Sequence, residues 1–289
     1  MAKIKKAVIP VAGFGTRFLP ATKASPKEML PIIDKPVIQY IVEQAVASGI
    51  EDIILVTGAS KRAVEDHFDY NYELQEWLKK QGKTESYQQI KKIANLANFI
   101  YLRQKGPYGN GTPVLNAEKI IGNQPFAVLW GDEIVLNPQK PSLKQSIEVF
   151  EKYNDPVLTT IEVSQQDTCK YGIIDGIKIE DNVYQVKKLV EKPDANKAPS
   201  NIAVVGGYVL PPEIFQALKE TKIGKGGELW LTDAIIKLAQ TRPLYACAVK
   251  GTYYDAGSKF GWLKANIDLA LEHKDTKDEL KQYLKNIKL

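Results

Sequence analysis

Short apolar runs alternate along this chain with stretches whose apolar residues recur at helical spacing, and that rhythm predicts strands and helices in turn. Residues 7–12 (AVIPVA), 53–57, 99–103 and 126–130 are brief, apolar and rich in β-branched side chains, which predicts buried strands. Between the first two, Val37, Ile38, Ile41, Val42, Ala45 and Val46 fall on one stripe of a helix over 36–49, with Pro36 near its start and Gly49 at its end. Strand–helix–strand repetition implies an α/β fold: a mostly parallel, Rossmann-like sheet flanked by helices, with right-handed crossovers. Ligands in such sheets bind beyond the carboxyl ends of the strands.

The pattern shifts after Pro156. Residues 157–163, 171–179, 183–189 and 202–210 read as strands, with Asp175-Gly176 and Asp181-Asn182 as turns, which predicts a smaller, more antiparallel portion grafted onto the same sheet. Residues 231–240 and 259–273 read as helices, and the tail to Leu289 as another. No internal repeat, low-complexity segment or flexible linker interrupts this order.

Composition narrows the class. A chain of 289 residues with 44% hydrophobic and 25% charged residues has ample material for a globular core, as two domains or one large α/β unit. No apolar run approaches the roughly 18 residues of a membrane span, and MAKIKKAVIP lacks a signal-peptide core, so a cytoplasmic protein without a membrane partner is expected. In that compartment Cys169 and Cys247 are expected to be unpaired, and His67 and His273 belong to no metal-ligand cluster. The net charge of +5 comes from scattered lysines, and residues 274–288 mix both signs at helical spacing. That pattern describes a solvated helix face rather than a nucleic-acid surface.

The candidate chemistry begins directly after the first strand, at residues 13–31 (GFGTRFLPATKASPKEMLP). Gly13 and Gly15 let the backbone turn tightly and bring its amides close to a phosphate, while Arg17 and Lys27 supply fixed charge. Phe18 occupies the place of the third glycine of a dinucleotide fingerprint, and no Gly-Lys-Ser/Thr of a P-loop is present. Gly131-Asp132 also follows a strand directly, so both segments are expected to face one crevice.

This block resembles the nucleotide-binding motif of the sugar-1-phosphate nucleotidylyltransferases, and its continuation PATKASPKEMLPIIDKPVIQY is most similar to the bacterial UTP:glucose-1-phosphate uridylyltransferases. The likeness continues through residues 61–83, GDEIV at 131–135, EKP at 191–193, APSNIAVVGGYVL at 198–210, LTDAI at 231–235 and YDAGSKFGWLKA at 254–265. The resemblance implies a nucleotidyltransferase domain over 1–272, its nucleotide-binding half about 1–155 and its sugar-binding half about 156–272, followed by a C-terminal helix over 273–289.

It also implies site roles. Arg17 and Lys27 would hold the triphosphate; Ala12, Gly13, Gly15 and Thr16 would present the nucleotide-binding turn, with Glu28 near the base. Gln104 and Gly109 would read a pyrimidine edge. Asp132, joined by Asp255, would coordinate Mg²⁺. Glu191, Gly172 and Val204 would contact the sugar, and Lys192 its phosphate. Catalysis on these terms makes UDP-glucose and pyrophosphate from UTP and glucose 1-phosphate, in a homodimer or homotetramer.

The chain departs from the family pattern at four places. Asn110-Gly111-Thr112-Pro113 replaces the usual Leu-Gly-His-Ala, Gly207 stands for an arginine, Trp230 for a glutamine and Ser258 for a frequent aspartate. The first departure leaves open the same chemistry with dTTP, CTP or another hexose 1-phosphate, and a non-catalytic nucleotide-sugar sensor is a remoter alternative. Thr112-Pro113 is expected to start a helix.

Overall fold

In the computed structural model, which describes residues 3–287, the first half carries strands β1 (Lys6–Pro10), β2 (Pro31–Ile32), β3 (Lys35–Pro36), β4 (Asp52–Thr57), β5 (Asn98–Arg103), β6 (Phe126–Leu129) and β7 (Glu133–Leu136). The second half adds β8 (Val157–Glu162), β9 (Gly172–Glu180), β10 (Val183–Glu191), β11 (Ile202–Leu210), β12 (Leu244–Ala248) and β13 (Thr252–Asp255). Nine of them form one sheet in the order β5-β4-β1-β6-β11-β8-β12-β10-β9. The first four are parallel. From β11 onward the pairing is antiparallel, except that β12 runs parallel to β8. The expected parallel half and more antiparallel half thus share a single sheet.

Both faces of that sheet are covered, and the side-chain period of two divides the core between them. Ala7 and Ile9 pack with Ile53 and Leu55 on one face, while Val8 packs with Ile54, Val56 and Val128 on the other. The helix Val37–Ala47 lays its predicted stripe, including Ile38, Ile41, Val42 and Ala45, into the first cluster. The expectation of a buried strand at 99–103 needs correction. β5 is a sheet edge paired only with β4, so its side chains are half-buried or exposed, Tyr101 at 37%.

The glycine block that follows β1 is braced by the helix Lys259–Ala270. Trp262 donates its indole N–H to the Pro31 carbonyl at 3.0 Å and meets Phe18 edge-on at 6.2 Å, while Asn266 accepts the Ile33 amide. Trp262 therefore ties the glycine block to a helix more than 200 residues further along the chain. Cys169 and Cys247 are unpaired. No helix among the described residues is long and apolar enough to cross a membrane.

Candidate active site

The glycine block leaves β1 as a tight turn. Gly15 adopts φ +67°, and a side chain there would press on Lys27 and Thr22, its Cβ lying 3.2 Å from Lys27 Cβ. Thr22 donates its hydroxyl to the Gly15 carbonyl at 2.7 Å, which holds the turn closed. Two consecutive short 3₁₀ turns, Thr16–Phe18 and Ala21–Lys23, then leave Arg17 in solvent, its guanidinium donating to the Gly257 carbonyl at 3.4 Å.

Lys27 reaches across the crevice and donates to Asp132 Oδ2 at 2.5 Å, which brings the two sequence-remote motifs into contact. Burial pulls the Lys27 pKa down, but Asp132, Glu28 and the hydrogen bond to Asp132 outweigh it and hold the ammonium above its ordinary value. Lys27 is therefore cationic at neutral pH. Glu28 lies behind it, 1% exposed, and accepts from the equally buried Lys61 at 2.7 Å. As placed it supports Lys27 from beneath. Burial raises the Glu28 pKa against the pull of Lys61 and Lys27.

Asp132 and Asp255 converge through Gly257. A Cβ on that glycine would collide with Asp132 Oδ2 and lie 3.1 Å from Asp255 Oδ1, and the Gly257 amide donates to Asp255 at 3.0 Å. The antiparallel ribbon of β7 and β13 sets this approach by pairing Glu133 with Asp255. Glu133 turns to the Gly206 amide, accepting it at 2.5 Å. Burial, then Asp132 and Asp255, raise its pKa to about 7. Among the described residues no group of three or more metal-ligating side chains is gathered; two hard carboxylates on one glycine are the donor set that a hydrated, phosphate-bound divalent cation requires. We expect Gly257→Ala to keep the fold and lose about 10²-fold in kcat/KM, since it displaces a carboxylate by the better part of an ångström. A variant within threefold of wild type in steady-state assays would refute that packing argument.

The residues expected at the sugar come together near the ends of β9, β10 and β11. Gly172 pairs with Glu191, and a Cβ on Gly172 would sit 3.2 Å from Glu191 Oε2. Lys192 follows with φ +43° and donates its amide to the Tyr171 carbonyl at 3.0 Å; its ammonium stands 3.7 Å from Glu191 Oε1. Ala203 pairs with Ile173, which puts Val204 beside this cluster. Tyr171 meets Tyr253 of β13 edge-on at 6.1 Å, linking the sugar side to the carboxylate ribbon.

Gln104 and Gly109 sit on a loop held from behind. Tyr108 O accepts the Leu229 amide at 2.8 Å and Leu229 O accepts the Gly111 amide at 2.9 Å. Gly109, at φ +115°, lies so close that a Cβ would collide with the Leu229 carbonyl. That packing is a structural need for glycine independent of any base.

Comparisons with known proteins give the family. The nucleotidyl transferase family model matches residues 6–272. The chain belongs to that family. It is 50% identical over 287 residues to the UTP–glucose-1-phosphate uridylyltransferase of Bacillus subtilis (strain 168), covering 99% of this chain and 98% of that one. A UTP-bound UGPase from Acinetobacter baumannii superposes with a TM-score of 0.92 at 39% identity, covering 99% and 100% of the two chains. A UDP-glucose pyrophosphorylase complexed with UDP-glucose gives 0.85 at 42% identity, covering 93% and 100%.

Within the family the departures now have physical explanations. Asn110 Oδ1 accepts the Leu231 amide at 2.8 Å, so the altered loop is tied to the helix Leu231–Leu238. The neighbouring helix begins at Gly111, one residue before the expected start, and Thr112 is buried inside it. Ser258 caps the helix Lys259–Ala270 by accepting from the Gly261 amide at 3.1 Å, a role serine and aspartate share, and its hydroxyl also donates to the Asp255 carbonyl, which a carboxylate could not do. A Cβ on Gly207 would approach Val128 O to 2.8 Å, so an arginine there requires local movement. Trp230 packs over Gly224. Lys61 and Gly257 escape a motif-based reading because their roles come from contacts 33 residues and 125 residues away, to Glu28 and Asp132.

Proposed function

We propose that this chain makes UDP-glucose and pyrophosphate from UTP and glucose 1-phosphate. The observation that carries the reading is the meeting of Arg17, Lys27, Asp132 and Asp255 around Gly257, in a chain half identical over its full length to a uridylyltransferase. A sugar phosphate oxygen attacks the α-phosphorus of the triphosphate; the bond to the bridging oxygen breaks, and its electron pair leaves with pyrophosphate. The nucleophile is already anionic, so no side chain must take its proton. The site's task is to hold two mutually repelling anions in line, and such orientation supplies about 7–11 kcal/mol in well-aligned systems.

Arg17, exposed and loosely tethered, is free to fork onto the departing pyrophosphate. Lys27 holds the triphosphate against the carboxylate side. Glu191 accepts sugar hydroxyl protons, Gly172 and Val204 give the hexose room and backbone contacts, and Lys192 holds its phosphate. Ala12, Gly13, Gly15 and Thr16 frame the nucleotide, while Gln104 offers both a donor and an acceptor to a uracil edge. Enzymes of this type generally use a divalent metal. Asp132 and Asp255 would hold Mg²⁺, which when bound neutralises charge developing on the phosphoryl oxygens.

The same reading assigns the strands β5, β4, β1 and β6 to the nucleotide and the later strands to the sugar, matching halves at about 1–155 and 156–272. It includes a homodimer or homotetramer, supported by Phe260, Leu263 and Ile267, which line one exposed helix face; Phe260 is 77% exposed. Light scattering giving a monomer mass at micromolar concentration would remove that part.

Pyrophosphate release with glucose 1-phosphate and Mg²⁺, measured in parallel with UTP, dTTP, CTP, ATP and GTP, tests the whole. UTP is the expected preference. A preference for another base would make residues 110–113 the specificity element, and no release with any base or sugar phosphate would leave a non-catalytic binder.

A further inference from the structure

Two large aromatic side chains stand in solvent where the nucleotide-binding turn faces the base-reading loop. Phe14, between Gly13 and Gly15, is 70% exposed; Tyr108, next to Gly109, is 64% exposed; their ring centroids lie 6.0 Å apart at 54°. Neither contributes to the core clusters.

Their backbones are nonetheless fixed. The Phe14 turn is closed by the Thr22 hydroxyl on the Gly15 carbonyl, and Tyr108 sits on a loop held through its own carbonyl to Leu229 and through Asn110 to Leu231. Rigid presentation of two exposed rings, from the two loops that flank one ligand's expected position, is surface held ready for an apolar, flat partner.

We propose that Phe14 and Tyr108 are nucleoside-contacting residues, whose rings close over the base and ribose of the bound nucleotide from the turn side and the loop side and shield it from water. This rests on the uridylyltransferase reading and assigns the occupant as a uridine nucleotide. The hydrogen-bonding groups placed above read the edge of the base and the charge of the phosphates, and the two rings add contact to the faces that those groups leave bare.

Calorimetric titration of UTP, UDP-glucose and pyrophosphate into wild type, Phe14→Ala, Tyr108→Ala, Phe14→Leu and Tyr108→Phe tests it. We expect each alanine variant, and Phe14→Leu, to bind UTP and UDP-glucose about 3- to 10-fold more weakly, Tyr108→Phe to bind as wild type, and pyrophosphate affinity to stay unchanged. The double alanine variant should lose less than the product of the single losses, because the rings touch each other. Both side chains are exposed, so melting temperatures should stay at the wild-type value. Wild-type UTP affinity in both alanine variants overturns the aromatic proposal alone. An equal loss for pyrophosphate also overturns it, by showing a disturbed phosphate turn. A wild type that binds neither uridine nucleotide overturns it together with the uridylyltransferase reading.

Discussion

Asp132→Ala is expected to lower turnover by about 10³-fold while leaving the chain folded, the magnitude typical of deleting one fixed electrostatic group at a reacting phosphoryl centre. Two things are lost with it: the carboxylate that flanks Gly257 opposite Asp255, which the proposed reading assigns to the metal, and the ion pair with the Lys27 ammonium. Single-turnover pyrophosphate release across a range of Mg²⁺ concentrations would read the first, since excess metal cannot restore a missing ligand fully. The second has a pH signature. Asp132 is the strongest influence raising the Lys27 pKa, so its removal lowers that pKa. A raised lysine pKa stabilises the fold fully below the unfolded value and loses that contribution as pH climbs through the folded value. Wild type should therefore gain over the variant near neutrality and converge with it only in strong alkali. Turnover within fivefold of wild type would sink the role given to Asp132.

The largest effect on stability is expected from Lys61→Met. The Lys61–Glu28 pair is 3% and 1% exposed, so removing the lysine strands a carboxylate in the core beneath the site. Breaking such a pair costs about 3–5 kcal/mol, whereas replacing both partners by apolar groups of similar volume is often neutral. Urea denaturation should accordingly show Lys61→Met strongly destabilised and Lys61→Met/Glu28→Leu substantially recovered.

The sign of the pH dependence follows from burial, which raises the Glu28 pKa. A carboxyl whose folded pKa lies above its unfolded value favours the fold on the acid side and loses that contribution as pH rises through the folded value. Without Lys61 that pKa rises further, so the penalty of the single variant should shrink as the pH is lowered and grow toward neutrality. A loss under 1 kcal/mol at pH 7 would mean that water reaches Glu28. Because Glu28 also acts on Lys27, the double variant should fold yet bind triphosphate less well than wild type.

Much of the molecule is legible one residue at a time. The strands β1, β4, β6, β8 and β11 are short apolar runs whose faces alternate, and the helix Val37–Ala47 keeps a stripe that only a 3.6-residue period explains. Spelling alone also gathers Arg17 and Lys27 after a glycine turn, and places Asp132 at a strand end. Edges are harder to read. β5 is as apolar as its neighbours, and nothing in NFIYLR says that one side of it lacks a partner. The neighbour of Glu28 is equally silent, because a glutamate in a polar loop reads as exposed until the fold brings Lys61 against it.

What the chain by itself determined, then, is which residues make strands and helices and which carry charge, since periodicity and turn chemistry act within a few residues of one another. Only the tertiary structure decided that Lys27 meets Asp132, that Asp132 and Asp255 share Gly257, and that Trp262 seals the glycine block from the far end of the sequence. Those meetings depend on the order and register of paired strands, in the nine-stranded sheet and in the separate β7–β13 ribbon, and register is a property of the paired strands that no single segment contains.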